Sequence, residues 1–162
     1  MVRLREAYIQ ANYFLESKDI LPSFFCRGGA KSDWLWSEHL DQQYDCNLIA
    51  IGSNELACCT VEQLQDRLND YSYHLLCHGF TKHVVIMGLW PRKSEIFSLR
   101  ARLFNKLSRH NMYWHSGILF WNWSRKLTFR FDGAVHLTKN AYRRALKFII
   151  SPVQYIFPYN SK

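Results

Sequence analysis

Apolar positions along this chain switch repeatedly between helical and strand periods, and the switching predicts the layout of the fold. Leu4, Ala7, Tyr8, Ala11 and Leu15 recur at helical spacing and predict an amphipathic helix over Met1 to Leu15. Pro22 interrupts it, and Ser23-Phe24-Phe25-Cys26 is a short apolar run with strand character, closed by Arg27-Gly28-Gly29. Ser32 or Asp33 is placed to cap a helix that carries Trp34, Leu35, Trp36 and Leu40. Asn47-Leu48-Ile49-Ala50-Ile51-Gly52 is a second apolar run. Runs this short, apolar on both faces, suit strands buried within a parallel sheet. Thr60 and Gln63 have capping-box spacing ahead of a helix through Leu64, Leu68, Tyr71 and Leu75. A third strand follows at Lys82 to Gly88. Ile96, Leu99, Leu103, Phe104 and Leu107 then mark a helix from Ser94 to Arg109. The fourth strand is expected at Ile118-Leu119-Phe120-Trp121, and a last helix from Asn140 to Ile150 stops before Pro152.

Strands separated by helices of this length form right-handed crossovers, which build a parallel sheet covered by helices on both faces. The expected fold class is therefore α/β, a three-layer α/β/α arrangement over residues 1–150, with 151–162 as an extended C-terminal tail. A chain of 162 residues is long enough for one such core and too short for two comfortable ones.

In open α/β sheets, ligands sit beyond the carboxyl ends of the strands. Three polar segments fall at such ends or beside the last helix. They are Arg27-Gly28-Gly29-Ala30-Lys31, Gly52-Ser53-Asn54-Glu55-Leu56 and Asp132-Gly133-Ala134-Val135-His136-Leu137. Taken singly, each reads as turn chemistry: paired glycines for a tight turn, Asn54 satisfying local N–H groups, Asp-Gly as a turn signal.

Charge and cysteine content narrow the setting. The formal net charge of +8 gives a positive field that favours anionic partners. The basic residues are scattered, however, with no block of five or more to mark a nucleic-acid site. Cys26, Cys46, Cys58, Cys59 and Cys77 are odd in number and lack C-x-x-C spacing, so reduced, buried thiols are expected rather than disulfides or a zinc site. The charged N-terminus has no apolar signal region, and no apolar run is long enough to span a bilayer. An intracellular location, cytoplasmic or nuclear, is the expectation.

The order of the three segments resembles the SGNH (GDSL-like) hydrolases: a glycine after one strand, Gly-x-Asn-(Asp/Glu)-Leu after the next, and Asp and His before the final helix. The resemblance covers roughly residues 1–150. Cys26-Arg27-Gly28-Gly29-Ala30-Lys31, Asp33-Trp34-Leu35 and Asp132-Gly133-Ala134-Val135-His136-Leu137-Thr138 are similar to SGNH domains associated with mobile elements in animal genomes. It implies a flavodoxin-like sheet and hydrolysis of a small carboxylic or acetyl ester, with no cofactor and no metal. In such an enzyme a serine attacks the carbonyl and a histidine takes its proton. The resemblance makes His136 that base and Asp132 the residue that orients it. Gly29, through its backbone N–H (Gly28 being the alternative), and the Asn54 side-chain amide would hold the oxyanion.

Two departures from the family pattern accompany this. The family nucleophile stands in a Gly-Asp-Ser or Gly-His-Ser turn between the first strand and first helix. Here Met1-Val2-Arg3-Leu4-Arg5 resembles the start of that helix, so the strand and serine would lie upstream of Met1. Ser17, Ser23, Ser32, Ser53 and Cys26 do not stand at the equivalent position, and no nucleophile is assigned. The expected sheet therefore lacks its first strand, and poor solubility of the chain expressed alone is expected from unpaired edges. The second departure is spacing: Asp132 and His136 are separated by three residues where the family has two.

Two function classes remain. One is an SGNH-type esterase, inactive as written for want of its serine. The other is a non-catalytic module on a degenerate hydrolase fold that binds nucleic acid or protein. A Rossmann-like nucleotide binder is disfavoured, because neither G-x-G-x-x-G nor G-x-x-x-x-G-K-[ST] occurs. The aromatic run Tyr113, Trp114, Phe120, Trp121 and Trp123 reads as core packing before it reads as an acyl pocket.

Overall fold

Among the described residues, Val84, Val85, Ile86 and Met87 form a deeply buried stretch at the centre of a three-stranded parallel sheet. The computed structural model describes residue 23 and residues 29–37, 43–111, 117–122, 131–132, 136–137 and 151–158. Within these, the strands are β1 (Tyr44–Ile49), β2 (Thr81–Met87) and β3 (Ile118–Trp121), in the order β1-β2-β3. Leu48 pairs with Val85 and Ile49 with Ile86 across the first ladder; Val85 pairs with Leu119 and Ile86 with Phe120 across the second. Consecutive residues of a strand point to opposite faces, so the burial of all four from Val84 to Met87 means that both faces of this stretch are covered, which is why it is continuously apolar rather than alternating.

Helix α1 spans only Asp33–Ser37 among the described residues. Helix α2 (Val61–Cys77) begins with the expected capping box: the Thr60 hydroxyl accepts from the Gln63 N–H at 3.1 Å, and the Gln63 side chain accepts from the Thr60 N–H at 2.9 Å. Its buried positions Leu64, Leu68, Tyr71 and Leu75 step by four, three and four residues and pack onto β2.

In helix α3 (Glu95–Asn111) the expected apolar positions divide: Phe104 is fully buried and Leu107 packs against the core, but the other three turn outward. Ile96, Leu99 and Leu103 are exposed, whereas Phe97, Ala101, Phe104 and Ser108 face inward. The rings decide the orientation. Phe104 meets Phe120 edge-on, with centroids 6.2 Å apart, while the small Ala101 and Ser108 let α2 come close. Between those helices the Gln65 amide donates to the Ser108 hydroxyl at 2.9 Å, so the buried polar groups satisfy each other.

All of this lies in one compact unit, Gly29–Trp123. The second unit comprises Met1–Gly28 and Ser124–Lys162. Its described part contains β4 (Phe131–Asp132) and β5 (His136–Leu137), paired antiparallel. Residues 151–156 are helical, and the Phe157 N–H donates to the Val153 carbonyl at 2.9 Å. An extended tail was the expectation there; Pro152 does not prevent the helix because its ring fixes φ at a helix-compatible value. The helices expected at Met1–Leu15 and Asn140–Ile150, and the strand expected at Phe24–Cys26, lie outside the described residues.

The expectation of buried thiols fails at two of the described cysteines. Cys46, Cys58, Cys59 and Cys77 are free thiols, but Cys58 and Cys77 are exposed rather than buried. Leu56 and Cys59 beside Cys58, and Leu75 beside Cys77, fill the adjacent core, and Cys58 and Cys77 face outward.

Candidate functional site at the end of the parallel sheet

The chain leaves β1 through Ala50 and Ile51 and turns at Gly52, whose φ of +116° only glycine adopts readily. A Cβ at Gly52 would stand 2.9 Å from Leu64 Cδ2, so the turn lies directly against the core face of α2. The next residues wind tightly: Glu55 and Leu56 donate their N–H groups to the Gly52 carbonyl, and Cys58 and Cys59 donate to that of Glu55. Leu56 is fully buried and anchors the turn, while Ser53 and Asn54 remain half-exposed at its outer edge.

This loop is tied to the segment Gly29–Ser32 by two adjacent side chains. Asn54 Nδ2 donates to the Ala30 carbonyl at 3.1 Å. Glu55, fully buried, accepts from the Ser32 N–H at 2.7 Å and from the Ser32 hydroxyl at 2.6 Å. Arg67 of α2 supplies a third donor to Glu55 at 2.8 Å, and this partner raises the guanidinium pKa further. A buried carboxylate is tolerable only with such donors around it. Ser32 was expected, with Asp33 as the alternative, to cap the following helix. Its hydroxyl is instead a buried donor to Glu55, which serves as a clip between loops.

The loop after β2 closes the other side. The Asn105 side chain of α3 accepts from the Leu89 N–H at 2.7 Å and donates to the Leu89 carbonyl at 2.9 Å. Arg92 then extends its Nη2 to within 3.3 Å of Asn54 Oδ1. Asn54 is therefore held at both ends of its amide, by the Ala30 carbonyl and by Arg92, with its NH2 group directed toward the Gly29 segment.

Of the residues expected to form a site, Gly29 and Asn54 lie in this unit, and the Asn54–Ala30 hydrogen bond joins their segments. Gly29 has a φ of +73° and open space where a Cβ would stand. Gly28 and Cys26 lie outside the described residues. Asp132 and His136 lie in the other unit, where they are direct register partners across the β4–β5 ladder. The three-residue spacing thus returns the backbone so that the two positions face each other across a pair of strands.

Two residues of the cluster were not singled out from the sequence. Glu55 was read as part of the Gly-x-Asn-Glu-Leu pattern without a role; an acid between Asn54 and the apolar Leu56 was the available signal for a buried carboxylate. Arg92 carried a weaker signal, since it follows Pro91 in the expected loop after the third strand. Among the described residues, no group of three or more His, Cys, Asp or Glu side chains could hold a metal, and no helix is long and apolar enough to cross a membrane. No family model matches the chain, and no curated protein matches it with significant similarity.

Proposed function

We propose that this protein is an SGNH-type ester hydrolase domain in which the Gly29 N–H and the Asn54 amide receive the oxyanion, His136 is the general base and Asp132 orients it. The observation that supports this reading best is the hydrogen bond from Asn54 to Ala30. It brings the glycine segment and the Gly-x-Asn segment together beyond the carboxyl end of β1 in a parallel sheet, the region where ligands bind in such sheets. Donors fixed before substrate arrives stabilise a developing oxyanion without reorganisation, and losing one such donor typically costs about 100- to 1000-fold in rate. The reaction class is acyl transfer from a small carboxylic ester to water. In the family pattern the nucleophile is the serine of a Gly-x-Ser turn, and no residue of this chain is assigned that role.

The test is hydrolysis of p-nitrophenyl acetate by this chain and by a version fused at Met1 to a strand bearing Gly-Asp-Ser. His136→Ala and Asn54→Ala are made in both. Turnover confined to the serine-bearing version, abolished by His136→Ala and cut by Asn54→Ala, is the expected result. His136-dependent turnover by the unfused chain would move the nucleophile to one of its own residues, with Ser53 the first to mutate. If both fold and neither turns over, the hydrolase reading gives way to the non-catalytic binding module.

A further inference from the structure

Arg92 is held in an environment that suits a cation bound to something, yet no carboxylate among the described residues lies within ion-pair distance of it. Its backbone is fixed by α3: the Arg92 N–H donates to Ser98 Oγ at 3.2 Å, and the same hydroxyl donates to the Arg92 carbonyl at 2.7 Å. The guanidinium carbon lies 4.4 Å from the centre of the Phe97 ring, and one nitrogen reaches Asn54 Oδ1. The side chain is half-buried, and that loss of water pulls its pKa below the ordinary arginine value. Among the described residues this partly desolvated cation has a neutral amide and an aromatic face for neighbours and no counter-charge. Of its five N–H donors, the Asn54 contact uses one.

We infer that Arg92 binds an anionic oxygen group of the ligand, a carboxylate or a phosphate, next to Asn54 at the end of the sheet. The planar fork of a guanidinium takes two oxygens of such a group at once. Phe97 and Asn54 restrict the side chain in advance, so little rotamer freedom remains to be lost on binding. The inference rests on reading this sheet end as the ligand site. It deepens the proposed function by giving the preferred ester a negative charge close to its carbonyl. It does not require that the ester be hydrolysed.

The test titrates the ¹⁵N-labelled full chain with inorganic phosphate and, separately, with succinate at low ionic strength, following the backbone amide signals of Ser53, Asn54 and Arg92. Arg92→Gln and Arg92→Lys are compared with the unaltered protein. Saturable shifts at these amides are expected, weakened roughly 10- to 100-fold by Arg92→Gln, the range for a hydrogen-bonded charged group. Arg92→Lys keeps the charge without the fork and is expected to bind with intermediate affinity. The tighter of the two anions identifies the source of the group. Absence of saturable shifts, or equal affinity in all three proteins with otherwise unchanged spectra, overturns the inference. If Arg92→Gln does not fold, Arg92→Lys alone decides, since unchanged affinity there removes the fork. Arg92-dependent binding without turnover in the serine-bearing protein sinks only the hydrolase reading. His136-dependent turnover of neutral and anionic esters alike, insensitive to Arg92, sinks only this one.

Discussion

Ser32 gives two hydrogen bonds to one carboxylate: its N–H to one oxygen of Glu55 and its hydroxyl to the other, across 23 residues of sequence. Both residues are almost completely buried, so the pair acts as an internal fastener between the glycine segment and the loop after β1. Removing the acceptor leaves two buried donors without a partner, each costing about 1–3 kcal/mol. Glu55→Ala is therefore expected to destabilise the fold by roughly 2–5 kcal/mol, measured as a shift in denaturant midpoint. Glu55→Gln keeps one acceptor oxygen and turns an NH2 group toward the remaining donor, so it should fall between Glu55→Ala and the unaltered protein. A loss of less than about half a kcal/mol in Glu55→Ala, the scale of an ordinary surface substitution, would show that the fastener contributes nothing.

Gly52 and Gly29 share a positive φ but differ in surroundings, and the difference can be measured. An alanine methyl at Gly52 would collide with the fully buried Leu64, whereas one at Gly29 meets nothing within 4 Å. Both substitutions carry backbone strain of about 1–3 kcal/mol. Only Gly52→Ala adds overpacking, worth about another 1–3 kcal/mol. Thermal melts should rank Gly52→Ala below Gly29→Ala. The reverse order would mean that α2 yields easily at Leu64.

Cys46 supplies a pH dependence with a definite sign. Burial, aided by the nearby Asp45 charge, pushes its thiol pKa from 9.0 up to about 11. Between those values the unfolded chain releases a proton that the folded protein retains, so the native state binds more protons and stability falls as pH rises. Denaturant midpoints should decline between pH 9 and about pH 11, and Cys46→Ala should flatten that part of the slope. Iodoacetamide at mildly alkaline pH should modify the exposed Cys58 and Cys77 well before Cys46, as read by peptide mass. Labelling of Cys46 at an equal rate would contradict its burial.

The parallel sheet was legible because its strands are short apolar runs separated by helix-length stretches, and Thr60 with Gln63 announced the start of α2 directly. The boundaries of β1 were less so. It begins at Tyr44, ahead of the apolar run, where the Tyr44 N–H donates to the Phe80 carbonyl at 3.0 Å, and it ends at Ile49 before the turn at Gly52. The inward face of α3 was legible only in part: Phe104 was expected inward and is, while Ile96, Leu99 and Leu103 are apolar yet exposed, because Phe97, Ala101 and Ser108 share the buried side with Phe104. In the candidate site, Gly29 and Asn54 could be named from their places after strands. Glu55 and Arg92 could not, because their importance lies in partners 23 and 38 residues distant, and such pairings leave no local pattern.

Asn105 gives Leu89 the donor and the acceptor that a neighbouring strand would otherwise supply. A side-chain amide thereby stands in for one rung of backbone and lengthens the ladder past the last residue of β2. The loop that carries Arg92 consequently starts from a point fastened to the middle of a long helix. Amide exchange with solvent at Leu89 then depends on parting that helix from the sheet, an opening far rarer than the fraying of a loop. Whatever the candidate site holds, one of its walls is as slow to open as the core behind it.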